Sequence, residues 1–301
     1  MRSAGAGSGG RPLTATTGLV TASVPAARVD GTADDTEAAA IVTNRRRAMI
    51  LCLVPGTVLG IVLALVLLAV GQPLVAVLVL VASVSLVTAL LWGRAPAIVT
   101  RSLGARPSDE WEYPRLHNLV DGLCATMGLD RPTVLVVESD VPNAMAVGRD
   151  PGSASLVVTS ALDRLLGLVE LEGVLAHELV HIKRHDTVLA GVAVVVTAPW
   201  SLVRGTPAGV ATVHRLTGPG REFSADQRAA VVVRYPPGIR SALQTMLGSP
   251  APAERWPPAG GRIAALTRWL WVDPMAGLSP DEPPEGNLDD TRVRFAALSL
   301  G

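Results

Sequence analysis

The sequence predicts an α+β protein in which an N-terminal transmembrane helical hairpin precedes a mainly helical domain with a small antiparallel sheet. No charged residue occurs between Ala48 and Gly93, a stretch long enough to cross a bilayer twice at about 20 residues a span. Three short predicted strands follow, a β-branched run at Thr133–Glu138 and two further segments at Asn143–Gly148 and Ser155–Thr159. Because helix-spaced apolar segments surround them, a small sheet within a helical domain is expected.

The composition argues against an ordinary soluble protein and against a nucleic-acid partner. Of the 301 residues, 49% are hydrophobic and 17% are charged, an apolar excess typical of membrane proteins. The formal net charge is +0, so no basic stripe is available to displace counterions from a phosphate backbone. The two cysteines, Cys52 and Cys124, provide no disulfide framework and suit a reducing compartment.

Residues 45–94 are predicted to form the transmembrane hairpin. Its apolar runs are Ala48–Val70 and Leu74–Trp92, and the turn Gly71–Pro73 between them carries no charge. Two buried core helices of a soluble protein are the alternative, which the length of both runs disfavours. We therefore expect a multi-pass protein with the lipid bilayer as a partner.

The arginines near the hairpin predict its orientation. They flank only its open side, at positions 45 to 47 before it and at 94, 101 and 106 after it. The positive-inside rule then places the N-terminus and the following domain in the cytoplasm. Residues 1–44 are rich in Gly, Ala, Ser and Thr and lack the apolar core of a signal peptide, so they are interpreted as a disordered tail.

The segment from His177 to His181 has the H-E-x-x-H pattern. Residues four apart share one face of a helix, so His177 and His181 can offer imidazole nitrogens to one Zn²⁺ while Glu178 reaches the attacking water. Only five histidines occur in the chain, so the pattern is unlikely to arise by chance. It predicts a metallopeptidase, against the alternative of a solvated helix with two unrelated histidines.

A third zinc ligand has to come from elsewhere, because catalytic zinc takes three protein ligands and keeps one open position. Glu222 is the candidate, and Asp226 shares its helical face, as a carboxylate that orients a ligand would. An acidic pair at this spacing is otherwise a solvated helix face. Asp186, directly after the metal helix, is a second candidate for orienting a histidine, or else a helix-end residue.

Two further residues are candidate donors to the oxyanion of a tetrahedral intermediate. His214 lies shortly before Glu222 in the sequence, and Arg221 directly precedes it. An oxyanion donor is expected in acyl transfer. The alternatives are a surface histidine and a salt-bridge partner of the acidic pair.

Thr187–Val203 is a further apolar run without charge. If it crossed the membrane, every residue after Arg204 would lie on the opposite side from His177, with no later apolar run to bring the chain back. We therefore favour a buried or membrane-associated helix, with a third span as the alternative. The other predicted helices are a helix capped by Ser108 and ended by Gly128, followed by Ser160–Leu168, Glu170–His185, Glu222–Val233, Pro237–Leu247, Arg262–Leu270 and Thr291–Leu300, with a loop at Ser279–Asn287.

In their order along the chain, these features resemble those of the HtpX-type membrane zinc metalloproteases, a gluzincin family related to the CAAX prenyl endopeptidases and the mitochondrial Oma-type protease. The resemblance covers roughly residues 45 to 270. The matching motifs are Met127-Gly128-Leu129, Pro142–Gly148, Leu156–Leu162, Glu172–Glu178 and Arg221–Asp226.

The resemblance implies a zincin-like metalloprotease domain over residues 107–301, with one zinc ion per chain. It implies His177, His181 and Glu222 as ligands and Glu178 as the general base. It also implies that a strand containing Asn143, Ala144, Met145 and Ala146 pairs with an extended protein or peptide substrate.

The sequence departs from the family pattern at three places. Family members usually have two further membrane helices between the metal helix and the third ligand, where this chain has one apolar run. Trp256 replaces the histidine of a family His-Pro-Pro segment, and Ala259–Gly261 replaces charged residues. The departures bear on topology and substrate handling and leave the ligand positions untouched.

The expected function is that of a membrane-bound zinc endopeptidase acting on misfolded or regulated proteins. The alternative is a catalytically silent, membrane-tethered sensor or scaffold that keeps the zinc fold. Glu178 favours the enzyme, because a structural zinc site has no need of a base. A transporter is disfavoured, because neither span contains a charged residue that could mark a substrate path.

Overall fold

The computed structural model describes residues 32–249, 256, 260–274, 276 and 289–298, and the side chains from Glu37 onward within them. Its helices are α1 (Thr32–Ala69), α2 (Pro73–Ser102), α3 (Pro114–Met127), α4 (Ser160–Leu165), α5 (Leu168–Lys183), α6 (Asp186–Arg204), α7 (Thr206–Thr217), α8 (Arg221–Val233), α9 (Pro236–Leu247), α10 (Arg262–Leu266) and α11 (Thr291–Ala297). Its strands are β1 (Arg106–Pro107), β2 (Thr133–Val137), β3 (Ala144–Val147) and β4 (Ser155–Thr159). The expected loop at Ser279–Asn287 lies outside the described residues.

Helices α1 and α2 form a closely packed hairpin. A Cβ at Gly56 would lie 2.9 Å from the Cα of Val84, so the two backbones touch there. Both helices have an apolar window with a hydropathy of 2.8, and only 17% and 6% of those windows are buried in the protein. Length and composition thus allow both to cross a membrane, whose hydrocarbon would cover the side chains that the protein leaves exposed.

Helix α1 begins well before the arginines, so the disordered-tail interpretation is wrong for residues 32–44. The alanines of this segment favour a helix, and two of its polar side chains, Glu37 and Asn44, hold it on the globular domain. Glu37 accepts a hydrogen bond from Arg228 at 2.9 Å. The side-chain amide of Asn44 donates to Asp186 and, at 3.2 Å, to the carbonyl oxygen of Arg184. Residues 1–31 lie outside the described residues.

The sheet is mixed and four-stranded, in the order β1-β2-β4-β3. Strands β1 and β2 are antiparallel, β2 and β4 are parallel, and β3 and β4 are antiparallel. The expectation of an antiparallel sheet therefore fails for one pair. After β2 the chain passes to the far edge to form β3, and β4 returns between them, so β2 and β3 never make a hairpin.

Strand alternation divides the core into two layers. Val134, Val136 and Ala146 face one side, where they pack with α3, α5, α8 and α9. Leu135 and Val147 face the other side, where they pack with α6 and α10. The metal helix α5 therefore lies buried against one face of the sheet, with the edge strand β3 beside it.

Helix α3 begins later than the predicted cap at Ser108. It begins at Pro114, because the backbone N–H and the hydroxyl of Ser108 both donate to Val134 O in β2. Its end at Gly128, with φ 64°, is the left-handed cap that the sequence predicts.

Helix α6 differs from the two hairpin helices in its surroundings. It is also long and apolar enough to cross a membrane, but 61% of its apolar window is buried in the protein. Its exposed apolar side chains, Trp200, Leu202 and Val203, lie near its end. Helix α7, which sequence analysis missed, then packs back on it, with Gly209 close to Ser201. Two helices therefore separate the metal helix from α8.

Replacing Gly173 by alanine should destabilise the protein. A Cβ at this position of α5 would lie 2.8 Å from the backbone nitrogen of Ile239 in α9, so the two helices must separate, at a cost of about 1 to 3 kcal/mol in the free energy of unfolding. The melting temperature of the detergent-solubilised protein, followed by tryptophan fluorescence, measures this cost.

Gly122→Ala is the matched control, because a Cβ there has no atom within 4 Å. Alanine should leave stability unchanged or raise it by up to about 1 kcal/mol, given its higher helix propensity. Equal melting temperatures for the two variants would contradict the close crossing of α5 and α9.

Candidate metal centre

Helix α5 carries His177, Glu178 and His181, and all three are buried, at 0%, 1% and 2% exposure. The helix starts with a Glu170 carboxylate that accepts from Gly167 N at 2.9 Å. It ends at Lys183, and His185, just before α6, has a φ of 56° in the left-handed region. This turn brings Asp186 back towards the helix face that carries His181.

Three ligand atoms converge between α5 and α8. The Nε2 atom of His177 lies 2.9 Å from Oε2 of Glu222 and 3.2 Å from Nε2 of His181, and His181 Nε2 lies 3.5 Å from the same Glu222 oxygen. Ligands 2.0–2.1 Å from a tetrahedral zinc ion are about 3.3 Å apart. The arrangement therefore fits an ion of this size with little rearrangement.

Each histidine is oriented through its other ring nitrogen. His177 Nδ1 lies 2.8 Å from Asp226 Oδ1, and His181 Nδ1 lies 2.9 Å from Asp186 Oδ2. A carboxylate at Nδ1 fixes the ring and leaves Nε2 for a metal. The structure thus places both carboxylates where sequence analysis expected orienting groups.

The pKa values of the ionisable groups at the site are strongly shifted. Burial alone would lower the pKa of His177, but the Asp226 and Glu222 carboxylates raise it to about 9. Burial opposes ionisation of Glu222, yet Arg221 and the histidines hold its pKa well below the usual range. Glu222 is therefore ionised beside the two imidazoles, and a carboxylate with two imidazoles is a donor set that a divalent cation such as Zn²⁺ accepts.

Both carboxylate oxygens of Glu178 are buried and have no hydrogen-bond partner among the described residues. Burial raises the pKa of this carboxyl. A buried carboxyl without a partner is costly, so its position next to the ligands calls for a functional explanation. The donor set and this unpartnered group together fit a catalytic metal site.

Arg221 and His214 are both engaged within the protein. Arg221 Nε donates to Glu222 Oε1 at 2.9 Å, and its Nη2 donates to Trp269 O at 3.1 Å. His214 stacks on Trp269 with ring centroids 4.1 Å apart and bonds Asp289 at 2.9 Å. In this conformation Arg221 is the salt-bridge partner of the third ligand, and His214 braces the start of α8.

Two residues that sequence analysis missed complete the site. Arg294, fully buried, binds both oxygens of Asp226 at 2.6 and 2.7 Å. Asp289 accepts from the backbone nitrogens of Glu222 at 3.0 Å and Gly220 at 2.8 Å. Each acts across more than sixty positions of chain, so no local pattern could have revealed them.

Asn143, Ala144, Met145 and Ala146 lie at the edge of the sheet beside α5, and all are buried. The structure therefore brings the expected substrate strand next to the metal helix. Val272 N donates to Ala144 O at 2.9 Å, so the outer edge of the strand is in contact with the chain's own C-terminal part.

The comparisons with known proteins agree with the site. Residues 110–270 match the profile of Peptidase family M48. The chain is 32% identical over 236 residues to a protein named Protease HtpX homolog from Pyrococcus abyssi, covering 68% of this chain and 81% of that protein. It is 32% identical over 240 residues to the protein of the same name from Pyrococcus furiosus, with the same coverage. No solved structure matches the chain significantly.

Replacing Arg294 by methionine should strongly destabilise the domain. The change leaves the Asp226 carboxylate buried without its guanidinium partner, which costs about 3 to 5 kcal/mol in the free energy of unfolding. Arg164→Met is the control, since Arg164 pairs with Asp140 at the surface, where the two side chains are 58% and 77% exposed, and it should cost about 1 kcal/mol or less. Thermal melting of both variants checks this, and equal losses would contradict the buried pairing.

Proposed function

Since this chain belongs to Peptidase family M48, as an HtpX-type membrane protease, we propose that it is a zinc-dependent endopeptidase that hydrolyses peptide bonds of misfolded or regulated proteins. The unpartnered, buried carboxylate of Glu178 beside the triangle of His177, His181 and Glu222 carries this proposal. A site that held a metal only for structure would need no such group.

His177 Nε2, His181 Nε2 and Glu222 Oε2 are the atoms that would hold zinc. When bound, zinc lowers the pKa of a water molecule and polarises the scissile carbonyl. Asp226 and Asp186 keep the two imidazoles turned so that Nε2 faces the site. Arg221 holds the other oxygen of Glu222, which keeps that carboxylate in one orientation.

Glu178 acts as the general base in this proposal. It takes a proton from the attacking water and delivers it to the leaving amine. Burial raises the pKa of Glu178, which brings its acid and base forms closer in energy and suits a group that must accept and then return a proton.

A catalytically silent sensor or scaffold is the second candidate function. The closed state of the site favours it, because none of the four site residues is more than 2% exposed. A scaffold would bind zinc without cleaving proteins, so zinc content and proteolysis, compared between the wild type and Glu178→Gln, distinguish it from the enzyme.

Glu178→Gln should abolish cleavage of an unfolded protein, with a loss of at least about 1,000-fold in kcat/KM, while the purified protein keeps about one zinc per chain. Glu222→Gln should instead lower zinc content, because the charged third ligand is lost. Zinc is measured by elemental analysis and cleavage by gel-based assay. Glu172→Gln, a half-buried carboxyl on the same helix, should change neither. Undiminished proteolysis by Glu178→Gln would overturn the assignment of the base.

We also propose that both ends of the α1–α2 hairpin face the cytoplasm, on the strength of the arginines at its open side. A cysteine at Gln72, in the hairpin turn, should react with a membrane-impermeant maleimide in intact cells. A cysteine at Trp111, which is 94% exposed, should react only in inverted vesicles. Cys52 and Cys124 are changed to alanine first. The reverse labelling pattern would overturn the orientation.

A further inference from the structure

The outer edge of β3 is paired with a segment of the chain that follows α10. Val272 N donates to Ala144 O at 2.9 Å. The side-chain amide of Asn143 makes two hydrogen bonds to the main chain of Asp273. Its Oδ1 accepts from Asp273 N at 3.0 Å, and its Nδ2 donates to Asp273 O at 2.8 Å. All three bonds reach main-chain atoms of Val272 and Asp273.

Such bonds are how a sheet edge binds an extended polypeptide of any sequence. The edge supplies main-chain partners, and the added chain behaves as a further strand. Strand β3 is the sheet edge that packs against the metal helix α5. A substrate strand on this edge would need Ala144 O, which Val272 N now occupies, and the space beside Asn143 that Asp273 now fills.

The segment is also fastened to the metal-site carboxylates. Arg294 donates to Val272 O while it binds Asp226. Arg221 donates to Trp269 O while it binds Glu222. One arginine therefore links each of these two carbonyl oxygens to a carboxylate at the proposed metal site.

Closure of the site agrees with this placement. The side chain of Val272 is fully buried in the core layer that contains α5, while Trp271 anchors the segment in the layer on the other face of the sheet. Glu178 is 1% exposed, so no polypeptide can reach it while the segment and its surroundings keep these positions.

We propose that Trp271–Asp273 is an internal pseudosubstrate segment, which occupies the main-chain-binding edge of β3 and has to leave before a substrate binds. The proposal rests on the proposed function, because occupation of this edge is inhibitory only if the site hydrolyses peptides. These bonds involve only main-chain atoms of the bound segment, so they select for no particular side chain. The competing substrates are therefore unfolded segments with free backbone donors and acceptors. Activity is reduced by the fraction of molecules in which the segment is bound.

Val272→Pro tests the proposal by removing the N–H that donates to Ala144 O. Trp271 has φ −86° and ψ 148°, an extended conformation that the residue before a proline adopts readily. Loss of one buried hydrogen bond from the closed form should raise kcat/KM for reduced and carboxymethylated α-lactalbumin by about 2- to 10-fold. Val272→Ala is the matched control: it trims the same side chain but keeps the N–H, so it should activate less. Equal rates for Val272→Pro and wild type, or equal activation by both variants, would overturn the proposal.

A second measurement needs no change in the segment. In Glu178→Gln, saturation with the same unfolded polypeptide should raise hydrogen exchange in residues 267–274, while exchange in α3 stays constant. Unchanged exchange with the polypeptide bound would show that the segment stays in place, and the proposal fails.

The two proposals fail in different ways. If Val272→Pro tightens polypeptide binding by about 2- to 10-fold in the Glu178→Gln background but no chain cleaves it, the peptidase assignment falls and the competition at β3 stands. If the wild type cleaves the polypeptide but Val272→Pro changes neither binding nor rate, the peptidase assignment stands and the competition at β3 falls. If neither the wild type nor any variant binds or cleaves the polypeptide, both proposals are overturned.

Discussion

Burial of charge is the constraint on which the rest of this structure depends. Glu222, Asp226 and Asp186 lie in the interior, where an unpaired charge costs several kcal/mol. Arg221 and Arg294 compensate the first two, and His181 bonds the third. The pairing requires α5, α8 and α11 to be in place together, so the site can form only when the whole domain is folded.

The membrane anchor is connected to the same cluster. Asn44 of α1 binds Asp186, the carboxylate that orients His181, and Glu37 binds Arg228 of α8. Helix α1 thus continues from the apolar hairpin to the ligand shell without a break. Asn44 and Glu37 therefore fasten the N-terminal part of α1 to groups next to the proposed ligands.

The sequence predicts what is local and misses what is long-range. Helix α5 and β4 follow from helical spacing and a β-branched run, and each is found at or within about two residues of its predicted bounds. The proposed ligands His177, His181 and Glu222 also lie together, as the H-E-x-x-H pattern and the family resemblance predict. The parallel β2–β4 pair depends on which edge β3 takes, and strand patterns do not encode that. Helix α7 was missed because its Thr, Gly and Pro residues weaken the helical signal.

Residues beyond position 270 close the site, and the family match ends at that position. Arg294 balances the charge of Asp226, Asp289 holds the start of α8, and Val272 covers β3. Two of these contacts involve main-chain atoms, which any residue supplies. The bond from Val272 N to Ala144 O depends on no side chain, so no sequence motif could have predicted it.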